Sequence, residues 1–372
     1  MQNFQVDVVR PEELTAAEHA LWNAFVAANP AGDSPFFSLR YALTAGAVAP
    51  EARVAVIRDG GETVGFLPFQ RRGGMLQPLG APLTDYHGLI AKPGVDIALA
   101  QVVKAAGGQS YRFSGLLGDA PSRARTVARN RLAVRMPDGY DAWYAERRKT
   151  WGKYFKDKER AARSLERDHG VAEIRLHDDA PEVLDWILDL KRAQYRQTSQ
   201  HDVFACGWTA ELLRFLLATR TPTTGARIAT LRLGGKLAAA EYSLRDGGHN
   251  HFWFPVYSPE FARYSPGTLL SLRTLELAAA DGVTWGDYGL DAEGYKKYFA
   301  EPVGVVSEGV VLARGPATNS LAAAPALARL RSKAERRMAV IRACETSWSG
   351  AMAAIGQAAT SAALRRMRTQ GA

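Results

Sequence analysis

The spacing of apolar positions changes period along the chain, and each change predicts an element. Residues 11–28 place Leu14, Leu21, Trp22 and Phe25 on one side at helical spacing, which predicts an amphipathic helix. Two runs rich in β-branched and aromatic residues follow, 52–57 (ARVAVI) and 63–70 (TVGFLPFQ), with Asp59-Gly60-Gly61 between them. Such a pair around a glycine turn predicts a β-hairpin. The order returns in the second half, where 227–233 and 236–244 flank Gly234-Gly235 and a further turn leads into 249–257 (HNHFWFPVY). Between the halves, 144–169 predicts a long helix with Trp151, Tyr154, Phe155, Ala162 and Leu165 near one face, ended by Gly170. Residues 181–197 and 209–219 predict two more helices.

The stretch 249–299 is the most informative. After the strand 249–257 comes RYSPGT, residues 263–268. Ser265 has the chemistry of an N-cap, Pro266 suits the first helical position, and Gly267 adds no bulk to the first turn. Leu269, Leu270, Leu272, Leu275 and Leu277 then give an apolar helix face, which Asp281-Gly282 ends. A helix start just past a strand offers unpaired N–H groups and a positive dipole end, and both favour an anion such as a pyrophosphate. The same residues also describe a well-capped core helix. A short strand, 284–289 (TWGDYG), and the segment 291–299 (DAEGYKKYF) complete the stretch.

Composition narrows the class. With 372 residues, 47% hydrophobic and 23% charged, the chain suits two domains or two halves of a duplicated fold. No run approaches the length of a membrane span. The start MQNFQVDVVR has neither a basic n-region nor an apolar core, so the expected location is cytoplasmic. Cys206 and Cys344 are far apart, which predicts no disulfide framework. The net charge of +9 lies mostly in the Ala-rich tail 316–372, where nine basic residues stand against Glu335 and Glu345. This tail is expected to be helical or disordered, with a weak membrane-surface or protein contact as its potential role. The signs alternate along 144–169, so nucleic acid is not an expected partner.

Among candidate chemical groups, Glu241 stands alone in the otherwise apolar run 237–244. A carboxylate there is costly unless paired, and burial would raise its pKa toward the range of a general base. An edge salt bridge is the alternative. His251 is the second candidate. A three-residue turn at 246–248 would put Glu241 opposite Trp253 and on the face of His251; a two-residue turn would put the two on opposite faces. Asp85, Tyr86 and His87 form a compact polar cluster within the apolar stretch 79–90. No ligand spacing for a metal, no P-loop and no G-x-S-x-G occur.

The sequence of strand, YSPG helix start, DG, DYG strand and GYKKYF resembles the C-terminal half of GNAT-like acyltransferases of the CelD/BcsL type. These are associated with cellulose and exopolysaccharide biosynthesis, and are distant relatives of Fem-type aminoacyl transferases. The motifs are carried by Asp287, Tyr295-Lys296 and Phe299, and the likeness spans roughly residues 30–310. It implies an α/β (α+β) fold of two tandem halves, 1–143 and 144–315, with mixed, mainly antiparallel sheets flanked by helices and a separate tail, 316–372. It also implies transfer of an acyl group, acetyl from acetyl-CoA, to a hydroxyl or amine of a saccharide or cell-envelope precursor, without a metal. Arg263, Ser265, Gly267 and Thr268 would then hold the donor. Glu241, His251, Asp287 and Tyr295 would be catalytic, with Tyr295 or Tyr288 protonating the leaving thiolate. Asp85, Tyr86, His87, Trp253, Tyr288 and Lys296 would line the acceptor site across the cleft between halves. The alternatives are an aminoacyl transferase using aminoacyl-tRNA and a non-catalytic interaction protein of a polysaccharide assembly.

Overall fold

A computed structural model of the chain describes residues 4–29, 34–118, 124–198, 200–290, 294–313, 325–347 and 349–356. The N-terminal half contains β1 (Gln5–Val9), α1 (Ala16–Ala27), α2 (Leu39–Val48), β2 (Ala52–Asp59), β3 (Glu62–Arg72), β4 (Met75–Pro78), β5 (Ile90–Ala91), α3 (Leu99–Ala105), β6 (Ser110–Leu116) and β7 (Ala124–Arg135). There follow α4 (Tyr140–His169), β8 (Ala172–Arg175), α5 (Pro181–Thr198), α6 (Trp208–Ala218), β9 (Thr224–Leu233), β10 (Lys236–Asp246), β11 (His249–Tyr257), α7 (Pro266–Ala280), β12 (Trp285–Leu290), α8 (Lys296–Phe299), β13 (Glu301–Leu312) and α9 (Pro325–Cys344).

The thirteen strands of the described residues form one sheet, in the order β1-β2-β3-β4-β6-β13-β7-β12-β11-β10-β9-β8, with β5 beside β3. Pairing is antiparallel except for β4 with β6 and β11 with β12. Each half thus has one parallel pair, and the expected tandem, mainly antiparallel α/β architecture is what the chain forms. The last strand of each half crosses over. β7 pairs with β12, and β13 pairs with both β6 and β7. The two halves are therefore hydrogen-bonded into one sheet, and a cut at 143/144 falls inside α4. That helix begins earlier than its apolar pattern suggested, because Gly139 turns the chain with φ +84 directly into Tyr140.

The tail is helical over Pro325–Cys344, as expected. Residues 316–324, 348 and 357–372 lie outside the described residues, but the end of α9 is packed on the core. Ile341 and Cys344 are buried, and Trp208 Nε1 donates to the Cys344 carbonyl at 3.0 Å. Among the described residues no helix is long and apolar enough to cross a membrane.

Candidate active site

The β10–β11 hairpin closes through the two-residue turn Gly247-Gly248, since Asp246 pairs with His249. Leu244 then pairs with His251, and Tyr242 with Phe254, leaving Trp253 as an extra residue on β11. Side chains alternate along a strand, so Glu241, three residues from Leu244, lies on the face opposite His251. The expected adjacency of Glu241 and His251 is not met. Two separate buried polar clusters take its place.

The first cluster is centred on His251 and built by both halves. β11 and β12 pair only from His249–His251 to Trp285–Asp287, which puts His251 beside Asp287. Asp287 Oδ1 accepts from Tyr86 Oη at 2.8 Å and the Gly289 N–H at 2.7 Å, and Oδ2 accepts from Arg131 Nε at 2.7 Å. His251 Nδ1 lies 3.2 Å from Asp287 Oδ1, and Nε2 lies 2.9 Å from Asp85 Oδ2. Both ring nitrogens face carboxylates, so both donate and the ring is an imidazolium. Burial alone would lower its pKa, but the hydrogen bonds it donates to Asp287 and Asp85, with their charges, outweigh burial and raise it to about 9. Burial likewise pushes Asp287 up, and His251 with Arg131 pulls it down to about 2. A group charged throughout the neutral range is a poor general base, so His251 acts here as a fixed positive charge.

The loop before β5 brings Asp85 and Tyr86 to this point. Trp253 Nε1 donates to the Leu83 carbonyl at 3.0 Å, and Tyr41 and Thr84 share a 2.6 Å hydroxyl contact. Phe36 stands edge-on to His251 and Trp253, both at 5.0 Å. Trp253 thus works as a fastener between the halves. His87 is committed to the fold: its Nε2 accepts from the N–H groups of Ser114 and Gly115, both at 3.2 Å, and burial lowers its pKa to about 3. Of the expected trio, Asp85 and Tyr86 reach the site and His87 does not. Gly289 (φ +76) leaves space beside them. A Cβ there would stand 3.5 Å from Asp85 Oδ2, 3.9 Å from His251 Cε1 and 3.9 Å from Lys296 Nζ. Lys296 Nζ accordingly lies beside the same glycine.

The second cluster surrounds Glu241, which is 1% exposed. Ser271 Oγ of α7 donates to Oε2 at 3.2 Å, while Oε1 has no hydrogen-bond partner among the described residues. The Tyr288 hydroxyl is also buried without one. Burial raises the Glu241 pKa to about 7, against the smaller opposing effects of Ser271 and the Lys191 ammonium. Lys191 of α5 is itself lowered by burial to about 8, an effect that Glu241 opposes. The charge of Glu241 is felt at Tyr288 and Tyr295, whose pKa values burial drives up, so both phenols stay protonated. Among the described residues, Glu241 makes no salt bridge of the kind anticipated as its alternative.

The start of α7 differs from the expected cap. Ser265 has φ +56 and its side chain does not cap; its hydroxyl instead accepts from Lys158 Nζ of α4 at 2.8 Å. Pro266 has no N–H, and Leu269 N–H is the first to bond back, to the Ser265 carbonyl at 3.2 Å. Gly267 is open, since a Cβ there would meet only Tyr257 Cδ1, at 3.6 Å. Arg263 is turned away, donating to Asp168 and the Tyr264 hydroxyl. Lys158, not Arg263, is the cation at this helix start. Among the described residues no group of His, Cys, Asp or Glu could hold a metal ion.

The site thus has a parallel strand pair joined only at residues 249–251 and 285–287, the start of α7 and two buried polar clusters. Residues 152–297 match the family described as Acetyltransferase (GNAT) domain. No curated protein matches the chain. Two similar solved structures share only the fold, each at 12% identity. The tandem GNAT protein from the clavulanic acid biosynthesis pathway has a TM-score of 0.53 over 84% of this chain and 99% of that one. The C-terminal DUF2156 domain assigned to a lysylphosphatidylglycerol synthetase from Agrobacterium fabrum has a TM-score of 0.50 over 86% of this chain and 96% of that one.

Arg131, Lys158, Lys191 and Ser271 belong to these clusters and were not singled out from the sequence. Each is a single polar residue in an unremarkable local context, brought in by long-range packing. Only Ser271, the lone hydroxyl between Leu270 and Leu272, leaves a local trace.

Proposed function

We propose that the chain transfers an acyl group from an acyl-CoA thioester to a hydroxyl or amine, with Glu241 as general base. The observation that carries this is the buried Glu241 carboxylate, with a pKa raised to about 7 and an unmet Oε1, inside the segment that matches the GNAT domain. The N–H groups of Gly267 and Thr268, with Lys158 beside them, suit a pyrophosphate. When bound, the thioester supplies the activated acyl group. Glu241 then takes the proton of the attacking hydroxyl or amine, and a neutral phenol, Tyr295 or Tyr288, supplies one to the leaving sulfur. The acceptor class, a saccharide or cell-envelope precursor, follows from the resemblance carried by Asp287, Tyr295-Lys296 and Phe299.

The test begins with mass spectrometry of the protein incubated with acetyl-CoA and longer acyl-CoA thioesters, to find which is retained. With that donor, Glu241→Gln should lower turnover by about 10²–10⁴-fold while leaving donor affinity near the wild-type value. Near-normal turnover of the variant across pH 6 to 9 would remove Glu241 as the base. Retention of aminoacyl-tRNA, with no thioester retained, would move the assignment to an aminoacyl transferase.

A further inference from the structure

The two cysteines of the chain, distant in sequence, meet at the point where α9 docks. Cys206 lies in the turn before α6, and Cys344 is the last residue of α9. Cys206 Sγ is 3.3 Å and Cys344 Sγ 3.9 Å from the same Val203 carbonyl oxygen, so the two thiols converge on one acceptor. Cys344 is buried, whereas Cys206 is partly exposed. Arg72 lies beside the pair, donating to the Ala343 carbonyl at 3.2 Å, and its charge acts on both sulfurs.

We propose that Cys206 and Cys344 form a peroxide-sensitive oxidation site whose product is an internal disulfide clasping α9 to the core. The asymmetry assigns the roles. Cys206 is the more exposed of the two, and the neighbouring Cys344 and Thr209 lower its pKa against burial, which favours its thiolate. Cys344 is shielded, and its pKa is raised by Cys206 and by burial. In the first step the Cys206 thiolate attacks one oxygen of hydrogen peroxide. The S–O bond forms, the O–O bond breaks and hydroxide leaves; sulfur is oxidised and peroxide reduced. Cys344 then attacks the Cys206 sulfenic acid. The S–S bond forms, the S–O bond breaks, and water leaves with the Cys344 proton. With the proton first lost by Cys206, the sum is two thiols and one peroxide giving one disulfide and two waters. This site is separate from the acyl-transfer clusters and does not depend on them.

The test uses the full chain, treated with hydrogen peroxide and then alkylated in denaturant without reductant. The intact mass should show a monomer that has lost two hydrogens and takes up no alkylating agent. A non-reduced digest should link the Cys206 peptide to the Cys344 peptide, and dithiothreitol should restore both thiols. Because the bridge closes a long loop, the oxidised chain should melt roughly 5 °C or more above the reduced one. Cys344→Ser should stop at a sulfenic acid on Cys206, which dimedone traps. Intermolecular dimers, a sulfinic acid on Cys206 with Cys344 still alkylatable, or an unchanged melting temperature would each overturn the proposal.

Discussion

Asp287 and Glu241 are both fully buried carboxylates on neighbouring stretches of one sheet, yet their surroundings are opposite. Asp287 accepts from Tyr86, Arg131 and the Gly289 N–H, touches His251, and is held down to about 2. Glu241 accepts one 3.2 Å bond from Ser271, keeps one oxygen unmet, and rises to about 7. Burial pushes both upward; the number of partners decides the outcome. A carboxylate saturated with donors is a permanent charge and serves architecture. One left short of donors exchanges a proton near neutrality, which is what a general base requires.

Breaking the saturated cluster should have the largest effect on stability. Asp287→Ala leaves Arg131 and His251 buried without their shared counter-ion, so urea denaturation should show a loss of about 3–5 kcal/mol. Because Asp85 and Tyr86 come from the other half, the docking of the N-terminal half should loosen in the same variant, seen as faster hydrogen exchange around Leu83–Tyr86.

Glu241→Gln should do the reverse in a pH-dependent way. A carboxyl whose folded pKa is raised from 4.5 to about 7 contributes stability that is fully present below pH 4.5 and lost as pH rises through 7. The variant should therefore match the wild type near pH 4.5 and exceed it by roughly 3 kcal/mol at pH 8 to 9, measured by denaturant unfolding across pH. His251 adds a separate loss shared by both proteins, since its raised pKa gives stability present below 6.5 and lost as pH passes 9.

The smallest effects concern the helix start. Gly267→Asp adds bulk and a negative charge where donor phosphates would sit, and calorimetry should find CoA affinity lowered by about 10-fold or more. Lys158→Ala removes one partly exposed cation and should cost only about 3- to 5-fold. Unchanged affinity in both variants would move the donor elsewhere.

Much of this was legible in the sequence. The strand His249–Tyr257 and the helix from Pro266 to Ala280 follow directly from composition, proline placement and leucine spacing. Glu241 stood out because a lone carboxylate in an apolar strand has few outcomes, and the Asp85-Tyr86 cluster was visible as polarity in an apolar run. The relation of Glu241 to His251 was not legible, because it depends on one residue of turn length. Nor was the cap at Ser265, where a left-handed backbone overrides the side chain's preference. Arg131 and the meeting of Cys206 with Cys344 depend on long-range packing and strand exchange, which local spacing does not encode.

The contrast between the two carboxylates can be tested most directly by carbon-13 NMR of the side-chain carboxyls in protein labelled at Glu and Asp, titrated from pH 4 to 9. A glutamate resonance absent from Glu241→Gln should titrate with a midpoint near 7, while the aspartate resonance absent from Asp287→Asn stays ionised throughout. A Glu241 midpoint below 5, or an Asp287 resonance that titrates within the range, would contradict the account.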